Sequence, residues 1–195
     1  PRSTRKESSA TSDVYKRQLE QLLRAMRRWR DSGRELFTIS TNFSRRNFEN
    51  GGDDFIERLQ NTLQRYGIDP CYIEIEVTES VIVEKLDSLK ACLTRLGKLG
   101  YRIAIDDFGT GYSSLSVLLE IPANVVKIDK SFTDKIHQNG QSAFVYQMGQ
   151  FIQSAKEEVI FEGIEEEQQR TFLMECGFNS VSYTHLRAHE TDSYL

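Results

Sequence analysis

From Leu19 onward, helical and extended apolar periods take turns along the chain with little between them. Leu19, Leu22, Leu23 and Met26 mark one helical face, which stops near Gly33. A short β-rich run, LFTIS (36–40), follows. Phe55, Ile56, Leu59, Leu63 and Tyr66 give a second helix, closed by Gly67 and Pro70. YIEIEV (72–77) alternates, with isoleucine and valine on one face and Glu74 and Glu76 on the other. A helix on Leu86, Leu89, Leu93 and Leu96 then precedes the strand RIAID (102–106), and VVKID (125–129) is the next strand. Phe144, Val145, Met148, Phe151, Ile152 and Ala155 mark another helix, followed by VIFEGI (159–164) and a last helix over 166–176. This alternation builds a parallel sheet covered by helices, either doubly wound or closed as a (β/α)8 barrel. Five strands are readable where a barrel has eight, so a barrel of this sequence is expected to be incomplete at both ends.

Charge and cysteine content narrow the function classes. The formal net charge is −4, with +3 in residues 1–18 and −1 in 182–195, so the middle carries −6. An acidic body argues against DNA or RNA held by bulk charge, yet leaves room for a small phosphate ligand if a metal supplies positive charge. Cys71, Cys92 and Cys176 are odd in number and far apart, which fits neither a disulfide framework nor a metal site. Reduced thiols imply the cytoplasm. No apolar run approaches the roughly eighteen residues of a membrane span, so no membrane contact is expected of this segment; a parent protein could be tethered through other segments.

Both ends lack an apolar period joining them to their neighbours. SSATSDVYKRQ (8–18) and VSYTHLRAHET (181–191) resemble in-frame translations of a transposase adaptor read on opposite strands. Residues 1–18 and 181–195 are accordingly expected to be non-native or disordered flanks around a domain at 19–180. His185 and His189 stand four apart within the second flank, but HLRAHE is not the HExxH order of a zinc helix.

Polar residues collect where strands end. Asn42 follows LFTIS, and Glu76 lies near the end of YIEIEV with Glu79 just beyond. Asp106 and Asp107 close RIAID, Lys127 and Asp129 lie in VVKID, and Glu162 and Glu165 flank the end of VIFEG. In a parallel sheet or barrel these ends converge on one face, where such folds place their sites. Adjacent aspartates repel and resist dehydration unless a cation or hydrogen bonds offset the cost. Oxygen donors from Asn, Asp and Glu suit Mg²⁺ or Mn²⁺ rather than zinc. The competing reading is a buried salt-bridge layer around Lys127.

The strings TNFS (41–44), EVTES (76–80), DDFGTGYSSL (106–115), VVKIDKSF (125–132) and FEGIEEE (161–167) resemble the EAL family of cyclic di-GMP phosphodiesterases. The resemblance runs from about Leu19 to Ser180. It implies a TIM-like barrel whose strand ends hold two divalent cations and hydrolyse cyclic di-GMP to linear pGpG. On that basis Asn42, Glu76 and Asp106 would ligate a first cation, and Asp106 would bridge to a second beside Asp107. Lys127 would orient the attacking water, and Glu162 would act as ligand or base. Glu79 would anchor the loop Phe108, Gly109, Thr110, Gly111, Tyr112 and Ser113, which orders substrate and contributes to a homodimer. Asp129 and Glu165 would support the site. Fused sensory or GGDEF domains are expected in the parent.

Two departures bear on activity. No Glu-Ala-Leu segment precedes Leu19, and no Gln-Gly-Tyr segment follows Ser180, so the 195-residue chain alone is expected to be inactive where its parent is active. The alternative is a non-catalytic receptor or regulatory module, against which the retained Lys127 counts. DFG at 107–109 lacks the companion loops of a kinase, and GTG lacks the ending of a P-loop.

Overall fold

The computed structural model describes residues 4–43, 52–84, 86–110, 115–136, 141–156 and 158–183. Eight α-helices and six strands are assigned among them: α1 (Thr4–Asp31), β1 (Ile39–Asn42), α2 (Asp53–Tyr66), β2 (Ile73–Thr78), α3 (Glu79–Glu84), α4 (Leu86–Lys98), β3 (Arg102–Phe108), α5 (Leu115–Glu120), β4 (Val125–Ile128), α6 (Lys130–Thr133), α7 (Ser142–Ala155), β5 (Glu158–Ile164), α8 (Glu167–Glu175) and β6 (Val181–Tyr183). All neighbouring strands pair in parallel, in the order β1-β2-β3-β4-β5-β6. A doubly wound sheet reverses its strand order at a switch point; an unreversed order is the winding of a barrel. The sheet is therefore an arc of a TIM-like (β/α)8 barrel, with six strands where closure takes eight.

Beyond shifts of one or two residues at other ends, β1 and α1 depart from the sequence expectation and a sixth strand is added. β1 spans 39–42 rather than 36–40, because its position is set by pairing with β2 (Ile39 with Ile73, Asn42 with Glu76) and not by its apolar residues. α1 begins at Thr4 rather than Leu19. No proline or glycine stands between Pro1 and Gly33, so nothing local stops a helix already nucleated on the apolar stripe. β6 is a sixth strand, pairing Val181 with Phe161.

Strand alternation separates two environments. Ile73, Ile75 and Val77, then Ile103 and Ile105, Val126 and Ile128, and Val159 and Phe161 point outward under the helices and are buried. The stripe of α1 meets them through Leu23 and Met26, α2 through Leu59 and Leu63, α4 through Leu89, Leu93 and Leu96, and α7 through Val145 and Ile152. Each such side chain contributes about 1.5–3 kcal/mol on burial. The alternate residues face the barrel interior, and by register these are Ser40, Asn42, Glu74, Glu76, Arg102, Ala104, Asp106, Val125, Lys127, Glu158, Ile160 and Glu162. The interior face is polar, whereas the outer face is the core. No helix among the described residues is long and apolar enough to cross a membrane.

Candidate functional site

Alternation alone would send Asp106 inward and Asp107 outward. The β3–β4 register shifts between Ile105 and Phe108, and Asp107 takes φ 53°, the one non-glycine residue with positive φ among those described. A bulge of this kind re-aims a side chain. Phe108 returns to the buried outer face, 3% exposed, and both aspartates serve the rim. The cost of a strained αL residue is typically ~1–3 kcal/mol, and it recurs at functional sites.

The bulge brings Asp106 and Asp107 together with Glu162 from β5: one carboxylate oxygen from each lies within 4.8 Å of the others. Burial raises the pKa of Asp106, and Asp107, Glu74 and Asp129 add to the effect. Burial likewise raises Glu162, with Asp106 adding to it and Lys127 opposing. At that spacing two full charges repel by roughly 3 kcal/mol for an effective dielectric near 20. Three oxygen donors, only one of them facing a lysine, fit a hard divalent cation.

Lys127, inward on β4, bonds Glu76 and lies 4.0 Å from Glu162. Glu76 is thereby turned to the lysine and stands outside the acidic triplet. Asn42, exposed at the end of β1, is its register partner. The interior thus holds two groupings: the triplet Asp106–Asp107–Glu162, and the Glu76–Lys127 pair that touches it through Glu162.

The loop leaving β3 is tied from behind. The Gly109 amide donates to Glu79 Oε2 at 2.8 Å, and Glu79 is 1% exposed. Gly109 has φ 98°, and a Cβ there would overlap the Phe132 ring, so the position demands glycine. Thr110 donates its amide and hydroxyl to the Asp107 carbonyl at 3.3 and 2.9 Å. Gly111, Tyr112 and Ser113 lie outside the described residues, as do His185 and His189. Asp129 caps α6, accepting from the Ser131 amide at 2.9 Å. Glu165 is exposed and pairs with Lys130 at 3.5 Å, apart from the triplet.

Deeper in the interior runs a polar layer absent from the sequence expectations. Ser40 donates to Glu74 at 2.8 Å, Arg102 lies 3.6 Å from Glu74 and 3.2 Å from Glu158, and Ser180 donates to Glu158 at 2.7 Å. Glu74 stands two residues before Glu76, and that period is its only signal in the sequence. A cavity of about 520 Å³ opens over this layer, lined by Ser40, Glu74, Lys127, Ile160, Glu162 and Ser180 among others.

A barrel-type parallel sheet with carboxylates and a lysine at the carboxyl ends of its strands defines an α/β-barrel protein with a cation-binding rim. The chain belongs to the EAL domain family, whose model matches residues 3–182. It is 37% identical over 174 residues, 88% of this chain, to the signaling protein YkoW of Bacillus subtilis. Over 164 residues, 84% of the chain, it is 35% identical to the bifunctional diguanylate cyclase/cyclic di-GMP phosphodiesterase MucR of Pseudomonas aeruginosa. The chain spans 21% and 24% of the lengths of these two relatives. The solved phosphodiesterase of MucR in complex with cyclic di-GMP superposes with a TM-score of 0.79 at 32% identity, covering 90% of this chain and 71% of that one. BlrP1 of Klebsiella pneumoniae, solved with manganese and cyclic di-GMP, gives 0.74 at 25% identity, covering 89% and 44%.

Proposed function

We propose that the full-length protein to which this domain belongs hydrolyses cyclic di-GMP to linear pGpG. The observation that carries the reading is the convergence of Asp106, Asp107 and Glu162 beside Lys127 in a chain of this family. In the reaction a water oxygen bonds to phosphorus, the bond from phosphorus to a ribose 3′ oxygen breaks, and that oxygen takes up a proton. A divalent cation, when bound, supplies charge that offsets the phosphodiester and lowers the pKa of water.

The chain's own groups divide the remaining work. Asp106, Asp107 and Glu162 hold the cation, which their oxygen donors suit as Mg²⁺ or Mn²⁺. Lys127 is held by Glu76 with its ammonium toward Glu162, where it orients the attacking water. Glu162, which faces the Lys127 ammonium at 4.0 Å, accepts that water's proton. Asn42 and Glu76 share the interior face with Asp106, and these three would hold a first cation, with Asp107 beside Asp106 for a second. The loop from Phe108 to Ser113, anchored at Glu79, orders substrate; Asp129 and Glu165 support it through α6. A homodimer, fused sensory or GGDEF domains and a cytoplasmic location complete the reading for the parent; the bifunctionality of MucR, a diguanylate cyclase as well as a phosphodiesterase, supports a cyclase partner.

The test uses the full-length protein. Nucleotide binding is measured in Ca²⁺ and hydrolysis in Mg²⁺ or Mn²⁺. Binding in Ca²⁺ with pGpG formed in Mg²⁺ or Mn²⁺ is expected; binding with no product in either ion makes the protein a receptor.

A further inference from the structure

Helix α6 is only four residues long, yet it touches both irregular strand ends that build the rim. On one side Phe132 closes on Gly109, just past Asp107. On the other, Lys130 packs its stem where a Cβ on Gly163 would fall, and Gly163 turns with φ 70° directly after Glu162. Thr133 is the last residue of α6. It is fully buried, and its hydroxyl donates to the Glu162 carbonyl at 2.8 Å. That carbonyl sits past the last β4–β5 pair, Ile128 with Phe161.

The Thr133 carbonyl in turn accepts from Gln169 Nε2 at 3.3 Å, and Gln169 Oε1 accepts the amides of Glu165 and Glu166 at 3.0 Å each. One hydroxyl and one carboxamide therefore pin the backbone at 162, 165 and 166 across the bulge that breaks β5. Packing alone would be served by valine, which has the same shape. A buried hydroxyl is retained at no cost only where it is bonded.

We propose that Thr133 is a positioning residue for the cation site: by holding the Glu162 carbonyl it fixes where the Glu162 carboxylate meets Asp106 and Asp107. The proposal rests on the cation-binding reading above. Groups that hold metal ligands in place typically change metal affinity 10–100-fold when removed.

Mn²⁺ affinity of the full-length protein, read from the free-ion electron paramagnetic resonance signal, tests it, together with thermal midpoints. Thr133→Val is expected to weaken Mn²⁺ by about tenfold, while Thr133→Ser stays within about twofold of wild type. Ile152→Ala, a buried change near the carboxyl end of α7, should lower the midpoint and leave Mn²⁺ affinity alone. Gln169→Met, which breaks the same relay one bond away, should weaken Mn²⁺ by less than Thr133→Val does and serves if Thr133→Val does not fold. Wild-type affinity in Thr133→Val, or in Gln169→Met if the first does not fold, overturns the proposal. So does failure of serine to rescue, or an equal loss in Ile152→Ala. A wild type that binds no Mn²⁺ overturns the cation-binding reading itself, which is a different result from equal binding by wild type and variant.

Discussion

The amide of Gly109 donates to the carboxylate of Glu79 across thirty residues at 2.8 Å, so the turn that follows the two aspartates is held by the first residue of α3. Glu79 is 1% exposed. Glu79→Ala leaves that amide without its acceptor, a loss of about 1–3 kcal/mol. Turnover of cyclic di-GMP should fall by about tenfold or more, since each ~1.4 kcal/mol is a factor of ten. Steady-state kinetics and a thermal melt check both effects, and a variant with wild-type kcat would contradict the anchoring role.

Gly109→Ala should be worse for stability than most surface changes. It places a Cβ into the Phe132 ring at φ 98°. Overpacking costs about 1–3 kcal/mol and the strained backbone about as much again. Gly33 also has positive φ, but a Cβ added there would meet nothing within 4 Å, so Gly33→Ala should show the backbone cost alone. The difference between the two in a urea melt isolates the contact with Phe132.

Lys127 and Glu76 are a nearly buried pair, with side chains 13% and 8% exposed. Lys127→Met strands Glu76 and should destabilise by about 3–5 kcal/mol. The double variant Lys127→Met/Glu76→Leu should recover most of that stability while hydrolysis remains lost. Recovery of hydrolysis in the double variant would remove Lys127 from the proposed chemistry.

In the absence of metal, Asp106 and Glu162 hold their protons to higher pH in the folded chain than their ordinary values of 3.8 and 4.5. The folded state then binds more protons than the unfolded state as pH rises above those values, so stability falls through that window. At neutral pH, in a chelator, Asp106→Asn should therefore raise the thermal midpoint, by about 2–4 °C for each kcal/mol regained. Below the ordinary carboxylate range the gain should vanish. A variant less stable than wild type at neutral pH in chelator would contradict the electrostatic account of the triplet.

The convergence of Asp106, Lys127 and Glu162 is legible in the sequence because strand period and parallel order are enough to aim alternate residues at one face. Asp107 is legible as a site residue from its adjacency to Asp106; its inward aim comes from φ 53° and a register shift, which spacing does not encode. The choice of Glu76 between metal and lysine is likewise settled by where Lys127 arrives from a strand fifty-one residues later. The Ser40–Glu74–Arg102–Glu158–Ser180 layer depends on pairing among several strands, and no local window contains it. The apolar stripe predicts too short an α1 because the first half of the helix carries none of it, although a run without proline or glycine lets a helix already begun extend.

Manganese anomalous scattering from a crystal of the protein grown with Mn²⁺ tests the rim most directly. A peak in coordination contact with Asp106, Asp107 and Glu162 is the predicted result. Manganese bound only elsewhere, with those three carboxylates unligated, would contradict it.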